Sequence, residues 1–258
     1  MRPASTMPAW PFTILSIAIV VGVWLYVTLS GLVSPLFLPT PEGIWEGFLQ
    51  LAGSGYNGTS LGFDIGISLM RVVIGFGIGA AIGTLLGLVM GLWGGFNGVV
   101  EPYVEFLRPL PQLAYLMLLI IWFGIGELSK IMLLFLTALP VAAVAARDGV
   151  RSAPLQRIQA ARSLGANYFQ ILFRIILPGA LPEIFVGMRL AIGLVYATLI
   201  AAEMVAGSNG IGWMVFNAGT FLRADYVFVG VIIIGFLGVG LDWTLVALER
   251  RIVHWAGR

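Results

Sequence analysis

The sequence contains no cysteine, a single histidine (His254) and a single lysine (Lys130). Without cysteine a disulfide framework and a thiolate site are excluded, and with one histidine so is a metal site built from His and Cys clusters. No G-x-x-x-x-G-K-[ST] sequence precedes Lys130. Because a phosphate-binding loop of that type needs this motif, the chain is not expected to bind ATP by that route.

Charge is also scarce. Only 10% of the 258 residues are charged, 59% are hydrophobic, and the mean hydropathy is +1.00. Soluble domains carry about 25% charged residues, so this composition indicates a protein whose main solvent is lipid. The net charge of +2 is too small to indicate a nucleic-acid partner.

Six apolar segments are long enough, or nearly so, to cross a bilayer, which takes about 20 residues. The first follows Arg2 in the manner of a signal peptide, but its apolar run is too long and no A-x-A site follows, so we predict an uncleaved span. The predicted spans are 12–31, 68–92, 99–124, 129–146, 181–206 and 227–248.

The third of these segments is irregular. Its apolar part, Leu113–Phe123, is short, and Pro102, Pro109 and Pro111 precede it. Proline removes a backbone donor and disfavours helix at the residue before it. Two interpretations stay open: a span broken at residues 108–111, or an interfacial helix followed by a short tilted span.

Arginine is unevenly distributed between the loops. Residues 34–64 contain neither Lys nor Arg, whereas the fourth–fifth loop and the tails are rich in Arg. Since cytoplasmic loops carry the excess of positive charge, both termini and the fourth–fifth loop are predicted to be cytoplasmic. The arginines concerned are Arg2, Arg147, Arg151, Arg157, Arg162, Arg174, Arg250, Arg251 and Arg258.

The second span carries glycine at every fourth position, which places these residues on one face of the helix and lets another helix approach its backbone. The neighbour is either a helix of the same chain or a second copy. The helix-packing residues are Gly75, Gly79, Gly83, Gly87 and Gly91.

Charged residues inside the spans are costly and often functional. Glu203 lies near the outer end of the fifth span, where it is expected either to line a path or to pair with Arg71. Arg189 is expected to snorkel or to pair with Glu183 or Asp242.

A polar segment, residues 152–178, interrupts the apolar second half of the chain. Ser152 is a candidate N-cap with Pro154 in the first turn, and the first short helix is predicted to end near Leu164 at a left-handed turn on Gly165. Asn167 is expected to cap a second helix ending before Pro178. Apolar Leu155 and Ile158 are spaced to dock this hairpin into a groove on another protein.

The hairpin resembles the EAA signature of ABC-importer permeases: Glu-Ala-Ala, three residues, Gly, nine residues, Ile-x-Leu-Pro. Gln159 stands where the signature has Glu, which puts a salt bridge of that Glu in doubt. The matching residues are Ala160, Ala161, Gly165, Ile175, Leu177 and Pro178. Residues 107–131 and 177–193 are similar to permeases for taurine, alkanesulfonates and nitrate.

The resemblance implies an all-α membrane protein with six transmembrane helices and the type I ABC importer permease fold. It implies one domain over 1–258, with a core of about 60–250 and a cytoplasmic coupling hairpin at 152–178, in a bacterial inner membrane. The chain itself would be no enzyme and hold no cofactor. ATP and Mg²⁺ would bind to two partner ATPase subunits, and a second copy and an external solute-binding protein would complete the importer.

The expected solute is a small sulfonate such as taurine, with nitrate or another alkanesulfonate as alternatives. Candidates for the outer gate are Glu203, Asn209, Trp213 and Met214. Two other classes compete: a secondary transporter driven by an ion gradient, for which we find neither internal repeats nor a mid-span acidic pair, and a membrane scaffold without transport.

Overall fold

The computed structural model describes residues 10–255, so the terminal charges at Arg2 and Arg258 lie outside the described residues. Within that range the chain forms eleven α-helices, and a π-helical turn at Leu172–Ile176 joins the eighth to the ninth. The helices are α1 (Trp10–Leu29), α2 (Pro41–Ser54), α3 (Leu61–Leu92), α4 (Gly94–Leu107), α5 (Gln112–Phe123), α6 (Glu127–Arg151), α7 (Leu155–Ser163), α8 (Tyr168–Ile171), α9 (Leu177–Ala206), α10 (Ile211–Thr220) and α11 (Ala224–Ile252).

Five helical segments are long and apolar enough to cross a membrane: α1, α3, α6, the continuous stretch from α8 through α9, and α11. The pair α4 and α5 makes a sixth if counted as one span, and its two helices are bent by 100° at a break of four residues. The prediction of an all-α membrane protein is confirmed, and so is the break at 108–111.

Two of the predicted loops contain helices. Helix α2 lies within 34–64, and its buried residues Ile44, Gly47 and Leu51 share one face. Helix α10 lies between the predicted fifth and sixth spans and buries Ile211 and Met214. Both helices are too short to span a membrane, which is why a search for spans passed over them.

Helices α3, α6 and α9 form the centre of the bundle. Their buried side chains share one apolar cluster that includes Val72, Leu134, Ala138 and Val195. Helix α3 runs beside α6 for most of its length, from Gly75 at Leu134 to Gly91 at Val150.

The glycine stripe of α3 faces α6 of the same chain. A Cβ at Gly79 would lie 2.7 Å from the Cβ of Ala138, and one at Gly91 would lie 2.6 Å from that of Val150. Gly75, Gly83 and Gly87 meet Leu134, Leu139 and Ala143 in the same way. Packing within one subunit is confirmed for the stripe, and the alternative of a second copy against these glycines is wrong.

Candidate functional site

The hairpin follows α6 directly, and its start differs from the prediction. Ser152 is the C-cap of α6, its Oγ donating to the Gly149 carbonyl at 2.9 Å, and is not the N-cap of α7. Pro154 takes the N-cap position instead, with no side-chain bond. The prediction for Ser152 is wrong because α6 extends to Arg151, beyond the apolar run that was used to end it.

Gly165 makes the turn between the two arms of the hairpin, as predicted, with φ +82°. Its N–H donates to the Arg162 carbonyl at 2.9 Å, and the N–H of Ala166 donates to Ala161 at 3.0 Å. This pair of bonds is the Schellman motif, which satisfies the last carbonyls of α7 and needs a left-handed residue.

Asn167 caps the second arm, as predicted. Its Oδ1 accepts from the Gln170 N–H at 2.9 Å, while the Gln170 Oε1 accepts from the Asn167 N–H at 2.9 Å. This reciprocal capping box fixes the direction in which the chain leaves the turn.

The second arm does not end before Pro178. Residues Tyr168–Ala206 are helical throughout. The π-helical turn Leu172–Ile176 joins α8 to α9, and Pro178 is the second residue of α9. A proline removes one helical N–H and crowds the preceding turn, and a widened turn accommodates both. The hairpin and the fifth span are therefore one continuous rod, in which Ile175, Leu177 and Pro178 are half-buried.

The hairpin exposes several large apolar side chains among its polar and charged residues. Leu164 at the tip is 89% exposed, and Leu155, Tyr168, Phe169 and Phe173 are also exposed. Gln159 and Ala160 are exposed beside them, and Ile158 and Ala161 are half-buried. Such a surface on a projecting segment is typical of a docking site.

At the opposite end of the bundle, Arg71 of α3 and Glu203 of α9 form an ion pair. Arg71 Nη1 lies 2.5 Å from Glu203 Oε1, and neither side chain has any exposed surface. Glu203 also accepts from the Ser68 hydroxyl at 2.8 Å and the Gly212 N–H at 2.9 Å. The predicted pairing of Glu203 with Arg71 is confirmed.

The guanidinium of Arg71 joins two further elements. It binds Glu127 of α6 through two bonds of 2.6 Å, and its Nη2 donates to Asn209 Oδ1 at 2.5 Å. Lys130 also contacts Glu127, at 3.4 Å. A buried charge is tolerated only where it is paired and hydrogen-bonded, as here.

Asp64 and Ser68 hold the loop that follows α9. Asp64 Oδ1 accepts from the Gly210 N–H at 2.8 Å, and Ser68 Oγ accepts from the Ile211 N–H at 3.1 Å. Gly210 has φ +103°, and a Cβ there would lie 2.5 Å from the Glu203 carboxyl carbon. We refer to Asp64, Ser68, Arg71, Glu127, Lys130, Glu203 and Asn209 as the ion-pair network.

Sequence reasoning missed most of the network, although a signal was present. Asp64, Ser68 and Arg71 are spaced four and three residues apart, which places them on one face of a helix. The predicted span begins at Ser68, so it includes Ser68 and Arg71 but leaves Asp64 in the preceding loop. In the structure all three lie inside α3, which begins at Leu61, and each has a partner from another element.

The four gate candidates lie together but are not equally accessible. Glu203 and Met214 are fully buried, Asn209 is part of the network, and Trp213 is half-buried with its ring edge-to-face against Tyr56. None of this assigns a gating role, which stays a prediction.

The rim at this end has a second polar group outside the spans. Tyr56 donates to Asn217 Oδ1 at 2.7 Å, and burial raises the pKa of Tyr56. Arg223 lies 3.8 Å above the ring of Tyr226, and its hydrogen bond to Asp225 raises the pKa of Arg223. Arg223 thus stays charged at any physiological pH.

Arg189 of α9 pairs with Asp242 of α11 rather than with Glu183. The two side chains make parallel bonds, Nε to Oδ1 at 2.8 Å and Nη2 to Oδ2 at 2.9 Å. The predicted pairing of Arg189 with a neighbouring carboxylate is confirmed.

Comparison with known proteins agrees with this architecture. The chain is 41% identical over 243 residues to the taurine transport system permease protein TauC of Escherichia coli, covering 94% of this chain and 88% of the relative. It is 40% identical to the putative aliphatic sulfonates transport permease protein SsuC of the same organism, covering 92% and 88%. Among solved structures, the inward-facing MetNI methionine ABC transporter superposes with a TM-score of 0.57 at 20% identity, covering 72% of this chain and 95% of the other.

The fold is thus that of a multi-span membrane permease of the type I ABC importer class. Residues 79–254 match the model of the binding-protein-dependent transport system inner membrane component, and the chain belongs to that family. It is a transport subunit of the inner membrane.

Proposed function

We propose that this chain is the permease subunit of an ATP-driven importer for a small sulfonate such as taurine. Two copies would form the solute path between them, with two cytoplasmic ATPase subunits and an external solute-binding protein. The proposal places both termini and the hairpin in the cytoplasm, as the arginine distribution predicts.

One observation carries the ATPase partnership: a hairpin with exposed apolar side chains that is continuous with a membrane span. Its tip, Leu164, is 89% exposed, and its second arm runs without a break into α9. A partner that grips Gln159–Pro178 would move the fifth span directly. Ligand and nucleotide shift such an equilibrium only through different affinities for its two states.

Co-expression with the cognate ATPase subunit tests the docking. Leu164→Asp places a charge in the apolar contact without disturbing the bundle, since the side chain is exposed. We expect the ATPase to co-purify with the wild type and to be lost from this variant. The matched control is Leu32→Asp, an exposed leucine of the loop after α1, which should retain the ATPase. Equal recovery with both variants would contradict the proposal.

The solute is supported by two relatives named for taurine and for aliphatic sulfonates, at 41% and 40% identity. Mass spectrometry of the solute that co-purifies with the cognate binding protein tests it. We expect an aminosulfonate or alkanesulfonate. Nitrate in its place would agree with the proposed importer and would refute the proposed sulfonate solute.

For the outer gate we propose an indirect role for Glu203. Its carboxylate is fully buried, so it would act by holding α10 directly through the Gly212 N–H and the 207–210 loop indirectly through Arg71, which donates to Asn209. Trp213 and Met214 would move with α10. Unaltered uptake by a reconstituted Glu203→Gln transporter would remove this role.

A further inference from the structure

Arg189 and Asp242 lie well inside the spans. Arg189 is twelve residues from the start of α9 at Leu177, and Asp242 is ten residues from the end of α11 at Ile252. At about 1.5 Å per residue, both are about 15–18 Å from the hairpin end of the bundle. Both residues fall within the predicted spans 181–206 and 227–248, so the pair lies inside the hydrocarbon core, which is about 30 Å thick.

The side chains of this pair are nevertheless partly exposed at the surface of the chain. The side chains of Arg189 and Asp242 are 42% and 40% exposed. Charged groups that face hydrocarbon are costly, and at this depth they almost always face a bundle interior or a water-filled space. The exposed side of α9 around Arg189 also carries Gly193 and Ala197, whose small side chains leave room for a solute.

Two cavities meet at Arg189. The first, of about 510 Å³, is lined by the polar side chains of Arg108, Gln112, Tyr115 and Thr137 together with apolar residues of α6 and α9. The second, of about 570 Å³, contains Asp242 and extends to Arg250 and Arg251 near the end of α11. Arginine residues therefore lie at the break between α4 and α5, at the middle of α9 and near the end of α11.

The arginines have donors to spare. Arg189 uses Nε and Nη2 for Asp242, and a guanidinium carries five N–H donors. Arg108 is held only loosely, its Nη1 lying 3.4 Å from Glu105 Oε1. A fork of N–H donors matches the oxygens of a tetrahedral or planar oxoanion better than a point charge does.

We propose that Arg108, Arg189 and Asp242 form a transient binding site for the solute inside the membrane, which deepens the proposed function and rests on it. The arginines bind the oxoanion group of the solute. Asp242, freed from Arg189 by that group, binds the amine where the solute carries one. The empty site is neutral because the two residues pair with each other, so a zwitterion replaces one ion pair with two.

The test uses the complete transporter, with permease, ATPase and binding protein reconstituted in liposomes. The probes are labelled 2-aminoethanesulfonate and ethanesulfonate, which differ by the amine. Arg189→Gln should lower the maximal uptake of both probes at least tenfold. Asp242→Asn should do so for the aminosulfonate alone. The half-saturating concentration should stay unchanged, because the binding protein captures the solute first.

The control is Glu183→Gln, which removes an exposed charge from the same helix outside the site and should leave uptake of both probes unchanged. Each variant is also checked for co-purification of the ATPase and for ATPase stimulation by the loaded binding protein. Retained stimulation with lost uptake separates a solute site from a failure to assemble.

A charge-swapped variant, Arg189→Asp with Asp242→Arg, separates solute binding from simple pairing. A merely structural ion pair would be restored by the swap, and uptake with it. Our proposal predicts an assembled transporter whose uptake is not restored, since the oxoanion then meets a carboxylate on α9.

Normal uptake by Arg189→Gln, or full rescue by the swap, would overturn the site while leaving the importer intact. A wild-type transporter that imports neither sulfonate would refute the proposed solute instead, whatever the variants do.

Discussion

At the scale of single residues, the end of the bundle opposite the hairpin depends on two fully buried charges, Arg71 and Glu203. Glu203 accepts bonds from Arg71, Ser68 and Gly212, which belong to α3 and α10. One carboxylate therefore connects three elements. Removing it would leave a buried guanidinium, a hydroxyl and a backbone N–H with fewer acceptors.

We predict that Glu203→Ala destabilises the protein by about 3–5 kcal/mol, the usual cost of removing one partner from a buried ion pair. Denaturant titration in detergent micelles, followed by the fluorescence of the eight tryptophans, measures the change. Glu46→Ala, at an exposed glutamate of α2, should change stability by less than about 0.5 kcal/mol. Equal effects of the two variants would mean that the network contributes nothing.

The capping box at Asn167 gives a smaller and more local prediction. Asn167→Ala removes the side-chain acceptor of the Gln170 N–H, and loss of such a cap costs about 1 kcal/mol. Hydrogen exchange should therefore accelerate about fivefold at the Gln170 amide and its neighbours in the second arm, and stay unchanged in α6. Uniform acceleration over both regions would argue against a locally capped hairpin.

At the scale of helices, the apolar pattern predicted which segments are long enough to cross the membrane. It did not predict where the helices end, because polar residues lie near their ends. Helix α3 begins at Leu61 rather than at 68, because Asp64 is buried and its Oδ1 accepts from the Gly210 N–H, 146 positions away in the chain. Such a partner is invisible in a local window. The same applies at Pro178, where only the π-helical turn shows that helix continues.

Local chemistry was the more reliable guide where a feature depends on its own neighbours. The left-handed Gly165 and the capping Asn167 were both predicted, and both depend on residues within five positions. The ion pair of Arg71 with Glu203 was predicted from shared depth alone. Glu127 and Asn209, which complete the network, needed the three-dimensional arrangement.

Contact between α3 and α6 gives a matched pair of substitutions two positions apart. Gly79 meets Ala138 and Phe135 of α6, whereas a Cβ at Gly77 would have nothing within 4 Å. Gly79→Val should cost about 1–3 kcal/mol, as overpacking of a close contact does, and Gly77→Val should be nearly neutral. Thermal unfolding in micelles compares them, and equal melting temperatures would contradict the helix contact.

At the scale of the whole molecule, the two ends of the bundle differ in kind. One end is closed by the ion-pair network, which joins the start of α3, the start of α6 and the end of α9. The other end carries the hairpin, with its exposed apolar side chains, on the continuation of α9. A force on the hairpin therefore reaches the network along one rod, without a loop between them.

Because the chain contains no cysteine, a single introduced thiol can be labelled without background from native thiols. Such labelling measures which end of the bundle faces which side of the membrane. Leu164→Cys marks the hairpin tip and Leu222→Cys marks the turn before α11, at the opposite end, and both positions are exposed. With a membrane-impermeant maleimide, we expect intact cells to label only Leu222→Cys and inverted membrane vesicles to label only Leu164→Cys. Sites shielded by the ATPase or the binding protein are revealed by repeating the labelling with the permease expressed alone. Labelling of the hairpin from outside the cell would reverse the orientation and leave the cytoplasmic ATPase without a surface to grip.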